Sequence, residues 1–516
     1  MKKNILLINP IENKPGQYEM YPSGALVLIG TMLDNLGHNV KIIHMLADKV
    51  GTAKLKNIVS AFKPDIVGIT MNTFQTKSAK EVSRIIKEAN ENTLVVVGGP
   101  HPSALKLKTF EDFPYIDVVV VGEGEHTFLE IVEGKDLGGV KGICYNNKMN
   151  ELRPPAINLD YIPLPDLDLV DFNKNRFIGA EPVGARPTMY IMASRGCPFH
   201  CTFCNKSVWG NTARFRKPEL VIEEIKWLRE KYGVKEIFFQ DDTFNLNREW
   251  AEQIFNLIIE NNLSKDIIYK TPFRANEKLL DRELLQLAKE AGFWLIFYGV
   301  ESGNQEMLDG MRKGLTIGEI KRAFELAHST GLKTIGSFII GLPGENKETI
   351  EDTYNLWKEL RPYAMGYSYA IPFPDTEFEK TAIKKGHLLI SDYDKYSLGV
   401  CVVRTADLTK EDLEYWHEEI SSRIAKRYLV NLMSNPQYLQ REVVKKIRNP
   451  IGILRWAKLC LGVNKKRASK IQQWITLPLY IVYMVYLFCV ALLALFIIGV
   501  RGIAKRVSKD KKTVSE

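Results

Sequence analysis

The sequence has few cysteines, little net charge outside its last part and, with one exception, no long apolar run. Seven cysteines among 516 residues are too sparse for a secreted disulfide scaffold. A hydrophobic content of 45% with 25% charged residues excludes a disordered or collagen-like chain. Residues 441–516 carry 16 Lys and Arg against 3 Asp and Glu, which leaves 54 against 58 for the first 440 residues. This slightly acidic body argues against an enzyme that binds nucleic acid, and we expect no such partner.

The one long apolar run covers residues 471–500, which contain no charged side chain. About 20 apolar residues span a bilayer core, and a buried core helix of this length should show a polar stripe. Basic residues flank both sides, so the positive-inside rule gives no orientation, and Pro478 leaves monotopic insertion open as an alternative to a span. We therefore expect a transmembrane or membrane-inserted helix over 471–500 and a basic tail over 501–516.

Residues 1–150 alternate short β-branched runs with helical patterns. Continuous apolar runs of this length are typical of strands that are buried on both faces. The alternation predicts an α/β domain with a doubly wound, Rossmann-like parallel sheet. The expected strands are 5–8, 40–43, 66–70, 94–97 and 118–121.

Ligands of such sheets bind at the carboxyl ends of the strands. No G-x-G-x-x-G motif follows the first strand, and Glu123 and Glu125 would repel a pyrophosphate, so a dinucleotide is disfavoured. Glycines in these loops let a ligand approach the backbone closely, although tight turns alone would also explain them. The candidate ligand-binding residues at these ends are Gly98, Gly99, His101, Ser103, Gly122 and Gly124.

A Pro-rich linker, residues 151–186, leads to three cysteines with C-x3-C-x2-C spacing: Cys197, Cys201 and Cys204. A zinc site usually has four protein ligands, and the other cysteines, at positions 144, 401, 460 and 489, are isolated. Three thiolates suit a [4Fe-4S] cluster with one iron left open for a further ligand. We interpret these three cysteines as metal ligands at a catalytic centre.

This triplet resembles the motif of the radical S-adenosylmethionine (SAM) enzymes. The resemblance implies a partial (β/α)6, TIM-like barrel over residues 187–385, in which the open iron chelates SAM. One electron then cleaves SAM to methionine and a 5′-deoxyadenosyl radical. Six strand-like runs separated by helical patterns fit this barrel, and Thr316 with Glu319 predicts a capping box before the fifth strand.

Active residues of such barrels lie at the carboxyl ends of the strands. There the resemblance implies a backbone contact to the SAM adenine, acceptors for its ammonium group, a partner for its carboxylate, an acidic ribose contact and an adenine-side glycine motif. We expect Lys313 to be a solvated loop lysine. The implied SAM-binding residues, in the same order, are Phe203, Asp241 and Asp242, Arg274, Glu301 with Ser302, and Gly341 with Gly344.

A doubly wound domain directly before this barrel resembles the cobalamin-binding class, which includes class B methyltransferases and the anaerobic magnesium-protoporphyrin monomethyl ester cyclase. The resemblance implies that residues 1–150 bind cobalamin through the loop residues named above. The Asp-x-His-x-x-Gly motif is absent, so cobalt need not have a protein imidazole, and His101 is more typical of a structural histidine. The implied chemistry is methylation of an unactivated carbon. Radical cyclisation, oxidation or rearrangement is the alternative, and a non-catalytic corrinoid sensor or carrier is another.

The remaining expectations concern substrate and partners. Residues 386–470 predict a helical cap that determines substrate choice, with an amphipathic run at 407–430. A membrane anchor favours a hydrophobic or lipid-like substrate, such as an isoprenoid, a hopanoid or a porphyrin-like molecule. The electron for SAM cleavage needs a low-potential flavodoxin or ferredoxin. The catalytic domains should then be cytoplasmic, where thiols stay reduced.

Overall fold

A computed structural model describes residues 1–13, 21–172 and 182–434. The chain forms two compact units, Met1–Leu413 and Glu414–Glu516. The expected membrane helix at 471–500, the tail at 501–516 and residues 435–470 of the expected cap lie outside the described residues. Within the described ranges, no helix has both the length and the apolar character needed to cross a bilayer.

The N-terminal domain is a seven-stranded sheet with the strand order β2-β1-β3-β4-β5-β6-β7. The first five strands are parallel, while β6 and β7 continue the sheet as an antiparallel hairpin that is too short to be predicted from sequence. The order of strands reverses between β1 and β3, as in flavodoxin-like folds. The elements are β1 Asn4–Asn9, α1 Gly24–Asn35, β2 Asn39–His44, α2 Thr52–Phe62, β3 Ile66–Thr70, α3 Thr76–Ala89, β4 Leu94–Gly98, α4 Pro100–Leu105, α5 Thr109–Asp112, β5 Val118–Val120, α6 Glu125–Glu133, β6 Ile143–Tyr145 and β7 Lys148–Met149.

Burial on both faces explains the continuous apolar runs. Along β1, Ile5 and Leu7 belong to one hydrophobic core, whereas Leu6 and Ile8 belong to a second core on the other side of the sheet. All four side chains are at most 1% exposed. The prediction of a doubly wound sheet is thus confirmed, and each of the five expected strands is present.

The second domain is an open six-stranded parallel sheet with the order β15-β14-β13-β12-β11-β8, which follows the chain. Each strand pairs only with its neighbours in sequence, as expected for a partial barrel. A short antiparallel hairpin, β9–β10, follows the first of these strands. The elements are β8 Thr188–Ile191, β9 Ser194–Arg195, β10 Arg214–Phe215, α7 Pro218–Tyr232, β11 Glu236–Phe239, α8 Arg248–Glu260, β12 Ile268–Phe273, α9 Arg282–Glu290, β13 Phe293–Glu301, α10 Gln305–Gly310, α11 Ile317–Ser329, β14 Lys333–Ile340, α12 Lys347–Leu360, β15 Ala364–Tyr369 and α13 Glu377–Lys384.

Local sequence signals position these elements. The predicted capping box is present: the Thr316 hydroxyl accepts the Glu319 N–H, and the Glu319 carboxylate accepts the Thr316 N–H. Helix α7 begins at Pro218, which needs no intrahelical N–H partner there, and ends before Gly233 in the left-handed conformation (φ 64°). These signals fix where α11 begins and where α7 begins and ends.

Among the described residues, the expected cap at 386–470 is α-helical only from Lys410 onward, where α14 runs Lys410–Ser434. The preceding segment is mostly irregular and packs on the N-terminal domain instead. Lys80 forms an ion pair with Asp394 at 3.1 Å, and the Asn13 side-chain amide donates to the Tyr393 carbonyl oxygen at 3.0 Å. This part of the expected cap therefore belongs to the first compact unit.

Candidate active site

Cys197, Cys201 and Cys204 lie on the loop between β9 and β10, beyond the carboxyl end of the first barrel strand. All three are free thiols, and the hydroxyl oxygen of Thr243 lies 3.7 Å from the Cys197 sulfur. A cavity of about 340 Å³ opens beside Cys201 and Cys204. Three soft thiolates in one loop are the donor set of a [4Fe-4S] cluster that leaves its fourth iron open to a ligand.

The backbone of this loop is held by the two aspartates that follow β11. Asp241 accepts the N–H of Ser194 at 2.6 Å, and Asp242 accepts the N–H of Gly196 at 3.0 Å. Gly196 has φ 87°, and a Cβ there would overlap the carbonyl oxygen of Thr212, so only glycine fits. Burial raises the pKa of Asp241 to about 7. Both aspartates were expected from the sequence to accept hydrogen bonds from the SAM ammonium group. In the structure they hold the backbone of the cysteine loop.

Arg274, which follows β12, lies beside the cysteine loop. Its guanidinium donates to the carbonyl oxygens of Lys313 and Gly314 and stacks on the Phe199 ring, 3.5 Å from the ring centroid. Burial lowers the pKa of Arg274, and the nearby Cys201 thiol opposes that shift. This position next to a cluster ligand keeps Arg274 a candidate partner for the SAM carboxylate.

Glu301 and Lys313 form a buried ion pair at 2.7 Å, with each side chain 10% exposed. Glu301 ends β13 in the left-handed conformation, with φ 65°. Lys313 Nζ also lies 6.0 Å from the centroid of the Phe203 ring, the residue expected near the adenine. The expectation that Lys313 is solvated is therefore wrong, because the chain returns after α10 and brings it to Glu301.

The other expected SAM residues make close contacts within the barrel. Ser302 is fully buried, and its hydroxyl lies 3.3 Å from that of Thr353 on α12. Gly341 and Gly344 have φ values of 98° and 91° in the turn after β14, and the N–H of Gly341 donates to the Glu345 carboxylate. Ser302 thus ties the end of β13 to a helix, and the two glycines shape the turn.

A second cavity, of about 360 Å³, lies at the carboxyl ends of β1, β3, β4 and β5. This is the switch point of the sheet, where ligands of open α/β domains bind. Its walls include apolar side chains of α1 and residues of the cysteine loop, so both domains contribute. The expected residues that line it are Gly98, Gly99, Gly122 and Gly124, and those missed by sequence reasoning include Ala25, Leu26, Ile29, Asn205, Val208 and Trp209.

Glycines form the part of the cavity wall where the strands end. Gly99 has φ 111°, and a Cβ there would lie 2.7 Å from the carbonyl oxygen of Met71. Gly122 has φ 84° and donates its N–H to the Ser103 hydroxyl at 3.0 Å. A glycine wall beside apolar side chains fits a broad ring system such as cobalamin. Ser103 therefore supports this wall from behind.

His101 lies apart from this cavity. It is fully buried, its Nδ1 is 3.2 Å from the Thr73 hydroxyl, and its ring meets that of Tyr393 edge-on with centroids 4.9 Å apart. Burial lowers its pKa to about 3. These contacts agree with a structural role for His101. Its neutral ring packs between the N-terminal domain and the 386–413 segment.

Comparison with known proteins agrees with both halves of this site. The family profile of the B12 binding domain matches residues 16–132, and that of the Radical SAM superfamily matches residues 191–356. An uncharacterized methyltransferase from Pyrococcus horikoshii is 36% identical over 415 residues, which cover 79% of this chain and 86% of that protein. The chain belongs to the radical SAM enzymes that carry a B12-binding domain.

Two further relatives have a named activity or a solved structure. The anaerobic magnesium-protoporphyrin IX monomethyl ester cyclase of Cereibacter sphaeroides is 29% identical over 382 residues, covering 72% of this chain and 61% of the cyclase. The structure of the cobalamin-dependent radical SAM enzyme OxsB, with aqua-cobalamin and SAM bound, has a TM-score of 0.67 at 19% identity, covering 94% of this chain and 75% of OxsB. At that identity the likeness shows the fold alone. Family membership gives the cofactors: a [4Fe-4S] cluster, SAM and cobalamin.

Proposed function

We propose that this chain is a membrane-associated, cobalamin-dependent radical SAM enzyme that methylates an unactivated carbon of a hydrophobic substrate. The observation that carries the proposal is the shared wall of the 360 Å³ cavity, to which Gly99 and Gly122 contribute from one domain and Trp209 and Asp242 from the other. A methyl source in that cavity would lie directly beside the cysteine loop. Such proximity is what a reaction that joins two cofactors requires.

When bound, the cofactors supply a substrate radical and a transferable methyl group. The chain's own residues hold and orient them. Cys197, Cys201 and Cys204 supply the cluster ligands, while Asp241 and Asp242 fix the backbone on which those ligands lie. We propose Arg274, Glu301, Ser302, Phe203, Gly341 and Gly344 as the surroundings of SAM, and Gly98, Gly99, Ser103, Gly122 and Gly124 as those of cobalamin.

An aromatic wall in the barrel supports a hydrophobic substrate. Tyr190 and Phe238 are register partners on β8 and β11, so they lie on one face of the sheet. The Phe238 ring stacks on Phe297 with centroids 5.1 Å apart, and Tyr21 from the N-terminal domain meets Tyr190 edge-on at 5.5 Å. Adjoining aromatic rings favour apolar or planar ligands. The apolar residues 471–500 would bring the enzyme to a bilayer that holds such a substrate.

The reductant and the location follow from the chemistry. A flavodoxin or ferredoxin would supply the low-potential electron, and the catalytic domains would face the cytosol. Cyclisation or oxidation is the second candidate reaction. The observation that favours it is the 29% identity to a cyclase of this family.

The test is anaerobic turnover with SAM that carries a labelled methyl group. Reconstituted enzyme, dithionite, hydroxocobalamin and a lipid extract of the source cells should yield 5′-deoxyadenosine together with label in an apolar product. Cys201→Ala should yield neither. Formation of 5′-deoxyadenosine with an unlabelled product of changed mass would replace methyl transfer by cyclisation or oxidation. An intact cluster that never cleaves SAM would refute the proposed function.

A further inference from the structure

Four charged side chains lie buried where the two domains meet: Glu123 and Glu125 after β5, Arg195 at the end of β9, and Arg214 at the start of β10. We call them the charge cluster. Their side chains are between 4% and 8% exposed. The negative charges of the two carboxylates equal the positive charges of the two guanidinium groups. From the sequence, the two glutamates were expected to repel a pyrophosphate, and no partner for them was predicted.

Glu123 bridges the two arginines, with one carboxylate oxygen toward each. Its Oε2 lies 3.1 Å from Arg195, and its Oε1 pairs with Arg214. Glu125 pairs with Arg195 at 2.7 Å, and the Tyr161 hydroxyl accepts a further hydrogen bond from Arg195 at 3.3 Å. The guanidinium of Arg195 is therefore held from three sides in a fixed orientation.

The two arginines are direct partners across the β9–β10 ladder. Like charges placed opposite each other destabilise an antiparallel pair. In the folded chain the Glu123 carboxylate offsets this repulsion, yet Glu123 belongs to the other domain. The hairpin that frames the cysteine loop thus depends on a residue of the cobalamin-binding domain.

The charge cluster is adjacent to both cofactor sites. Glu123 and Glu125 line the 360 Å³ cavity together with Trp209, and the Arg195 guanidinium lies 4.5 Å from the centroid of the Trp209 ring. On the other side, Arg195 precedes Gly196, whose left-handed backbone leads directly to Cys197. Only one residue separates Arg195 from the first cluster ligand.

We propose that the charge cluster is a positioning device that fixes the cobalamin-binding loop to the iron–sulfur loop, so that cobalamin occupancy alters the surroundings of Cys197. The proposal rests on the proposed function, because it requires both cofactors to bind. It assigns Arg195 and Arg214 as positioning residues that touch neither cofactor.

A buried ion pair within the barrel provides the matched control. Arg216 and Glu224 form a pair whose side chains are 3% and 9% exposed, two residues after Arg214, but both partners belong to the barrel. Arg216→Lys therefore disturbs an equally buried guanidinium without touching the domain boundary. Lysine keeps the charge and loses the planar fork that an arginine presents to two acceptors.

The experiment compares the full-length wild type, Arg195→Lys and Arg216→Lys, each reconstituted anaerobically with iron and sulfide. Titration with hydroxocobalamin, followed by absorption, gives its affinity for each protein. Electron paramagnetic resonance of the reduced cluster, without and with cobalamin, reports the surroundings of the cysteines. We expect Arg195→Lys to bind cobalamin about tenfold more weakly, as for residues that support a ligand shell, and to lose the spectral change that cobalamin causes in the wild type. Arg216→Lys should keep both properties.

Equal behaviour of Arg195→Lys and Arg216→Lys would overturn the proposal. So would a wild-type cluster spectrum that cobalamin leaves unchanged, even if cobalamin binds and SAM is cleaved, in which case the proposed function would stand. A wild type that binds no cobalamin would refute both. If Arg195→Lys does not fold, Arg214→Lys, which weakens the pairing with Glu123 and does not line the cavity, carries the same comparison with Arg216→Lys as its control.

Discussion

The hydroxyl of Ser207 donates a hydrogen bond to the carbonyl oxygen of Pro100, 3.0 Å away. Ser207 follows Cys204 by three residues, and Pro100 begins the helix that follows Gly98 and Gly99. The loop that carries the three cysteines therefore contacts the loop that lines the 360 Å³ cavity, with no residue between them. A local change in one loop should therefore be measurable at the other.

Removing one cluster ligand should remove the cluster. Cys201→Ala leaves two thiols in the loop, too few to hold a [4Fe-4S] cluster with one open iron. We expect iron and sulfide content to fall to background and 5′-deoxyadenosine to disappear. Cys144→Ala is the control, since Cys144 is fully buried in the N-terminal core and away from the loop. Loss of iron in both variants would show that the effect is not specific to the triplet.

Gly99→Ala should impair cobalamin uptake. The new Cβ would lie 2.7 Å from the Met71 carbonyl oxygen at a backbone with φ 111°. Backbone strain of this kind costs about 1–3 kcal/mol, which the loop would relieve by moving into the cavity. Cobalamin content after reconstitution measures this. Gly139→Ala, where no atom lies within 4 Å of the new Cβ, should bind cobalamin like the wild type. Unchanged uptake by Gly99→Ala would contradict the placement of the cavity.

Lys313→Met should destabilise the barrel by about 3–5 kcal/mol, because it leaves the buried Glu301 carboxylate without its partner. Denaturant unfolding of the detergent-solubilised full-length chain measures the loss. Lys380→Met, in an ion pair with Asp375 whose side chains are 64% and 53% exposed, should change stability by no more than about 1 kcal/mol. Equal losses in the two variants would mean that burial of the Glu301–Lys313 pair has no energetic consequence.

Glu345 should make stability depend on pH. Burial raises the pKa of its carboxyl from 4.5 to about 8, so the folded chain keeps a proton that the unfolded chain releases. Stability due to this group is therefore fully present below pH 4.5, falls as the pH rises toward 8, and changes no further above that. Relative to wild type, Glu345→Gln should gain thermal stability between pH 5 and pH 8, while the exposed Glu348→Gln should follow the wild type. A constant difference between Glu345→Gln and wild type across this range would exclude the titration.

A chain that ends at residue 470 should leave the membrane fraction. The apolar run 471–500 and the basic residues beside it are the features that predict membrane binding. Ultracentrifugation of lysed cells, with detection of the enzyme in pellet and supernatant, measures this. A chain that ends at residue 500 keeps the apolar run and should still pellet. Pelleting of the shorter chain would rule out the anchor.

The strands and helices that could be predicted from the sequence are those indicated by residues close together in the chain. The five buried strands of the first domain and the six of the barrel could be predicted because apolar runs, caps and turn glycines are read within a few residues. The three cysteines were recognised from spacing alone. Their surroundings were not, since Asp241 reaches the backbone of Ser194 across 47 positions of the chain.

The errors concern charges whose partners are distant in sequence. Glu123 and Glu125 looked like free negative charge because Arg195 lies 72 and 70 positions away. Lys313 was expected to be solvated because no residue near it in the sequence indicated that the chain after α10 would bring it to Glu301. Local patterns predict burial of apolar residues well, whereas the pairing of charges depends on which strand ends meet in the fold.

Arg195 and Arg214 face each other across the β9–β10 hairpin. Glu123, which pairs with both of them, precedes them in the chain and is synthesised first. Chains fold domain by domain from the N-terminus while about 5–20 residues are added each second. The Glu123 carboxylate is therefore synthesised before the two guanidinium groups emerge. In a gene rearranged so that the barrel is translated first, the two cations would meet with no anion between them. The order of the domains along the gene thus makes the anion available before the two cations that it pairs with.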